Sequence, residues 1–257
     1  LMLAMAGIVI ATSAWMIHQR ALENARQSWR TSLDLVDGLL EDRDFAGLEG
    51  VLYDAVSAGR TLGYDDAEFR RVSGLYEETA AINTMGLGDL LNTLFGAYTD
   101  EGVLKTDAAE LVREDAIGQV FVFDTHIRPL PGERQTFAVD LPVVTPGNET
   151  IDVRISLPAL RPMLDDLGDT RCVFAAEVDQ VSAPTENANE SWQVELQADK
   201  FVLMTSEVLC GEIGLPVERD ESLRQVLQRQ RDFVETSLHW GNRNATIPHS
   251  QPDENLP

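Results

Sequence analysis

The chain of 257 residues is short of the signatures on which most functional assignments rest. It has two cysteines, Cys172 and Cys210, too few for a disulfide scaffold and not spaced as a metal-binding motif. One bond between them is open to the sequence, but two buried thiols, one on a strand and one on a helix, are the expectation. No G-x-S-x-G elbow, Walker loop or H-E-x-x-H helix occurs, so no motif supports nucleophilic, phosphoryl-transfer or zinc-dependent chemistry. Positive charge is also scarce, with 20 Lys and Arg against 43 Asp and Glu, a net charge of −23. Non-specific nucleic-acid binding depends on Lys and Arg neutralising phosphates, and residues 118–206 hold six such residues against fourteen acids. What is present is enough apolar material for real cores, at 44% hydrophobic residues, which excludes disorder throughout.

Between about Gly118 and Ser206, five runs alternate apolar and polar residues with period two, the mark of strands with one face in a core. The clearest places Ile151, Val153, Ile155 and Leu157 against Asp152, Arg154 and Ser156. Phe137, Val139, Leu141 and Val143 alternate before it, and the Pro146-Gly147-Asn148 cluster between them predicts a hairpin turn. The first run covers Val120–Ile127 and the fourth Cys172–Val181. The fifth, Trp192 to Ala198, is followed by the apolar Phe201 to Met204. Leu160, Met163, Leu164 and Leu167 fall at helical spacing between the third and fourth runs.

Three strands, a short helical connection and two more strands is the order of a five-stranded Greek-key barrel. On that pattern residues 118–206 resemble the OB-type barrels of the bacterial tRNA-anticodon-binding-like group. The resemblance implies a nucleic-acid- or protein-binding surface and nothing about catalysis. Against a nucleic-acid role, Phe121, Phe123, Phe137, Phe174, Trp192 and Phe201 mostly alternate in step with aliphatic residues, which puts them in the core instead of on a stacking platform.

Leu1 to Ile17 carries no charged side chain, and about 17 residues is the lower limit for crossing a bilayer. Trp15 suits an interface, and His18 and Arg20 mark the return to water. The chain opens on Leu, so the rest of the span is expected upstream. The competing reading is a cleaved signal peptide, with Thr12 and Ala14 as small residues before Trp15, although no basic n-region is visible. Helical patterning continues unbroken through Leu22, Trp29, Leu33, Val36 and Leu40. A second helix, with Phe45, Leu48, Leu52, Ala55 and Val56 on one face, ends around Gly59 to Gly63, and Asp65-Asp66 caps a third containing Phe69, Val72, Leu75 and Tyr76. The repeat of about 34 residues resembles a tetratricopeptide-type hairpin. About one and a half units are present and such arrays need several copies, so a helical hairpin is expected.

The predicted fold class is α+β: an N-terminal membrane helix, an α-helical hairpin region, then a small five- to six-stranded OB-like β-barrel with a C-terminal helix. The segments are a transmembrane stretch 1–17, an acidic helical region 18–117, the β domain 118–206, C-terminal helices 207–240 and a disordered tail 241–257. The whole order resembles bacterial membrane-anchored proteins, which by itself implies no function.

Candidate chemistry is sparse. Asp124 and His126 lie two apart on the first strand and share a face, where a carboxylate could orient an imidazole, yet a solvent-facing pair is the expectation. Asp165, Asp166 and Asp169 lack the alternating ligands and Gly of a calcium loop, and Gly86-Leu87-Gly88-Asp89 lacks the Lys-Ser/Thr of a phosphate loop. The sequons at Asn148, Asn189 and Asn244 carry meaning only in an exported, glycosylating setting. No catalytic, cofactor-binding or metal-ligating residue is assigned, and no cofactor is expected. The expected function is a membrane-anchored, non-catalytic protein-interaction or scaffold protein. A tethered OB-type ligand- or nucleic-acid-binding module is the alternative, and an enzyme using Asp124, His126 and Asp140 a third. The expected partners are the lipid bilayer, through the N-terminal segment, and a protein of unspecified identity; nucleic acid is not expected. The expected location is the cell membrane, single-pass. The side is open, because Arg20, Arg26 and Arg30 favour a cytoplasmic body and basic residues upstream would reverse it.

Overall fold

Helix α1 (Met2–Glu41) runs for 40 residues, and no Gly or Pro falls between Ile8 and Asp37 to interrupt it. The structure, a computed structural model, describes residues 2–85, 90–133, 135–141, 143–165, 170–184 and 191–237, without the side chains of 2–12, 14 and 165. The apolar run is thus the start of α1, with most of its side chains outside the described residues. Among the described residues no helix is long and apolar enough to cross a membrane. Gly86 to Asp89 and the tail 241–257 also lie outside them.

Two compact units divide the chain, residues 1–85 with 202–235 and residues 86–201 with 236–257. In the first, α1 is followed by α2 (Phe45–Leu62) and α3 (Ala67–Thr84). Acidic caps start both: Asp44 accepts from the Gly47 N–H at 2.9 Å and Asp66 from the Phe69 N–H at 2.8 Å, each satisfying a donor the helix leaves open. Gly63, at φ 71°, closes α2 in the left-handed conformation. Leu48, Leu52 and Ala55 are fully buried with Val56 and Val72 against Ala25, Trp29 and Val36 of α1, whereas Leu22 stays half-buried, so the packed part of α1 begins at Ala25. A Cβ on Gly59 would stand 2.6 Å from the Phe69 ring and 3.0 Å from Trp29, which is why a glycine lies at this helix crossing.

The second unit opens with α4 (Leu90–Gly96) and α5 (Ala108–Ala116), continues through β1 (Val120–Pro129), β2 (Thr136–Asp140), β3 (Thr150–Ser156), a 3-10 turn (Pro158–Leu160), α6 (Arg161–Asp165) and β4 (Thr170–Ser182), and ends its barrel with β5 (Ser191–Leu196). The first unit then resumes with a two-residue strand β6 (Val202–Leu203), α7 (Glu207–Glu212) and α8 (Glu221–Thr236). Asp220 caps α8 by accepting from the Leu223 N–H at 3.1 Å. Leu223, Val226, Leu227 and Val234 are its buried face, while Leu238 lies outside the described residues.

The five strands β1 to β5 close into a barrel. The predicted hairpin pairs β2 with β3 antiparallel, Thr136 opposite Ser156, and β1 pairs with β2 from His126↔Asp140 to Pro129↔Phe137. β3 and β5 run parallel from Thr150↔Ser191 to Ile155↔Leu196. β4 completes the ring, antiparallel to β5 and to β1, with a bulge between Val178 and Gln180. This order, β1-β2-β3-β5-β4-β1, is consistent with an OB-like barrel. Its interior holds Phe123, Phe174 and Phe201 in a stack, with centroids 4.9 and 4.6 Å apart, and all six aromatic residues expected in the core are buried.

Several boundaries differ from the sequence expectation. The fifth run stops as strand at Leu196, and Ala198–Lys200 is a 3-10 turn. The second stops at Asp140, beyond which the Val143 N–H bonds locally to the Leu141 carbonyl at 2.7 Å. The helices α4 and α5 belong with the barrel and not with the preceding helices. Bonds to β4, far along the chain, explain this: Gly118 N–H donates to the Val178 carbonyl at 2.9 Å just after α5, and Arg113 Nε donates to the Val181 carbonyl at 3.4 Å.

Candidate functional site

On β1 the period-two alternation turns Phe121, Phe123 and Ile127 inward and Asp124, His126 and Arg128 outward. Asp124 and His126 do share the outer face. The carboxylate, however, is held by Arg171 of β4, whose Nε reaches Oδ1 and Nη2 reaches Oδ2, both at 2.7 Å. This is the bidentate fork of a guanidinium on a carboxylate. Asp140 stands opposite His126 in the β1–β2 register and accepts from Arg128 Nε at 3.0 Å. On β3, Arg154 Nη2 donates to Asp152 at 2.6 Å. The outer face is therefore a ladder in which arginines are neutralised by neighbouring carboxylates, and both acids proposed to work with His126 are engaged by arginine.

The other candidates do not converge. Asp166, Asp169 and the Asp165 side chain lie outside the described residues, and among the described residues no group of three or more His, Cys, Asp or Glu is placed to hold a metal ion. Cys172 and Cys210 are buried and not joined by a disulfide. Asn148 is exposed in a turn at φ 70°; Asn189 and Asn244 lie outside the described residues.

Two polar clusters are assembled from residues far apart in the chain. At one end of the barrel, Trp192 is fully buried and its Nε1–H donates to the Tyr98 hydroxyl at 2.7 Å. Tyr98 donates onward to Glu149 Oε2 at 3.0 Å, and the Thr145 hydroxyl donates to the same oxygen at 2.5 Å. Burial and the acceptor Glu149 push the Tyr98 phenol up, against the bonds from Thr145 and Trp192. Burial opposes ionisation of Glu149, but the bonds from Thr145, its own backbone and Tyr98 prevail and hold its carboxyl below the usual range. Gly102, at φ 78°, lets the preceding loop close on this end, since a Cβ there would meet the Pro146 carbonyl oxygen at 2.6 Å.

In the helical unit, Glu78 of α3 has no exposed surface. Its Oε1 accepts from the Thr205 hydroxyl at 2.5 Å and its Oε2 from the Ser206 N–H at 2.9 Å. Burial raises its pKa to about 7, against those hydrogen bonds and the Arg231 cation. The signal for it was legible in principle: Glu78 falls on the stripe of Val72, Leu75, Thr79 and Ile82, where a solvated helix would carry an apolar residue. An open groove of about 400 Å³ also runs along α1 and α2, between Gln27, Thr31, Leu35 and Asp54.

No family model, curated protein or solved structure matches the chain. Its class is therefore defined by the fold alone, an α+β protein with a closed five-stranded, OB-like barrel.

Proposed function

We propose that the chain is a membrane-anchored, non-catalytic interaction protein, held at the bilayer by the start of α1 and presenting its helical unit and barrel to a protein partner. The observation that supports this most is on α1. Trp15, Met16 and Ile17 are 63%, 50% and 69% exposed, directly after an uncharged apolar run and directly before His18 and Arg20. A run of bare apolar side chains on a continuous helix is costly in water and favourable at a lipid interface. From Trp15 to Ala25, where packing begins, a helix rises about 15 Å at roughly 1.5 Å per residue, so the folded unit would stand close to the headgroups. The bilayer is one proposed partner and a protein the other.

The second reading, a tethered OB-type ligand- or nucleic-acid-binding module, draws on the barrel's strand order. Its outer face argues for a protein partner instead, because Arg128, Arg154 and Arg171 are each bonded to an acid and the aromatics a base would stack on are buried. The two readings separate when the full chain in detergent is titrated with labelled single-stranded DNA and RNA at low salt. No change in anisotropy is expected. Micromolar binding that weakens steeply as salt is added would establish the second reading and remove the first.

A further inference from the structure

We propose that Glu78 is a proton-operated latch on the strap Met204–Ser206: its neutral form seats the strap and the α7 that follows, and its ionised form loosens them. The geometry is that of a clasp. One carboxyl on α3 takes both the Thr205 hydroxyl and the Ser206 N–H. From the other side, α8 holds the same strap: Gln230, fully buried, donates to the Met204 carbonyl at 2.6 Å, and Arg231 Nη2 donates to the Thr205 carbonyl at 2.7 Å. Ser206 in turn caps α7, accepting from the Leu209 N–H at 3.3 Å through its hydroxyl. Loss of the Glu78 contact therefore releases one side of the strap next to the residue that caps α7, leaving only the bonds from α8 to hold it.

The groups around the carboxyl set which form it prefers. The strap supplies two hydrogen-bond donors and α8 supplies the Arg231 cation, all favouring the anion. Glu77, next to it on α3, and the exposed Glu207 at the start of α7 are the nearest acids in sequence. Full desolvation favours the neutral form and outweighs the rest. A carboxyl whose pKa is raised in the closed state binds its proton more tightly there than when opened to water. Its contribution to closure is complete below the open-state value, near 4.5, and is lost as pH rises through about 7. The latch consequently loosens between about pH 4.5 and 7, a window that reaches above the range in which ordinary carboxylates titrate.

The test is amide hydrogen exchange of Ser206, Leu209 and Cys210 in the full-length protein, read as the ratio of wild type to Glu78→Gln at each pH so that intrinsic chemistry cancels. That ratio is expected to rise on the order of tenfold between pH 5.5 and 8. Thr205→Val, which removes a donor to the anion, should move the midpoint to higher pH, a shift that a purely structural contact does not produce. A ratio constant with pH overturns the latch. Should Glu78→Gln fail to fold, the carboxyl carbon of Glu78 can be titrated by NMR in the wild type: a midpoint near 7 supports the proposal, and one near 4.5 overturns it.

Discussion

Replacing Tyr98 with Phe deletes one oxygen at the end of the barrel, and the structure sets the size of the effect. The hydroxyl is the acceptor for Trp192 Nε1 at 2.7 Å and a donor to Glu149 at 3.0 Å. Trp192 has no exposed surface, so its N–H would be left buried without a partner, at about 1–3 kcal/mol. The lost bond to Glu149 adds less, because that side chain is half-buried and water can replace the donor. A total of about 2–4 kcal/mol is expected, with no cavity term since the ring is retained. Urea unfolding followed by far-ultraviolet circular dichroism measures it. A double-mutant cycle with Trp192→Phe, which removes the orphaned donor, should show coupling of about 1–2 kcal/mol. A Tyr98→Phe variant within 0.5 kcal/mol of wild type, or an additive cycle, refutes the claim that this chain of hydrogen bonds holds the barrel end.

Leu52→Ala, at a fully buried position on α2, should destabilise the helical unit by about 2–5 kcal/mol in denaturant unfolding, and a loss below 1 kcal/mol would mean that the α1–α2–α3 core is not packed as described. Thiol titration of the denatured, unreduced protein should find both Cys172 and Cys210, as expected of thiols buried and not joined in a disulfide; finding neither, in a monomer, would point to a bond between them.

How much of this was legible in the sequence depended on what each feature needs. The strands β1 to β5 showed because a barrel buries one face of each, so Phe121, Phe123 and Ile127, or Ile151, Val153 and Ile155, must alternate with polar neighbours. The helical hairpin showed because Asp66 and Gly63 mark ends by backbone chemistry that few other residues supply. Closure of the ring was not readable directly. The parallel pairing of β3 with β5 joins residues about 40 apart, and nothing local in Thr150 or Ser191 names its partner. The assignment of α4 and α5 to the barrel unit was hidden for the same reason, since it depends on Tyr98 reaching Trp192. Asp124 and His126 could be placed on one face by counting, but the arginine that takes the carboxylate comes from a strand 47 residues on. Glu78 left only the weak trace of an acid on an apolar stripe, because its donors, Thr205 and Ser206, lie far along the chain.

The proposed anchor is tested most directly by extracting membranes from cells that express the complete gene with alkaline carbonate, alongside a form lacking residues 1–17. The full chain should remain in the membrane pellet until detergent is added, and the shortened form should be released. Recovery of the protein in the soluble fraction, whole or cut to a mature N-terminus near Trp15, would contradict the anchor.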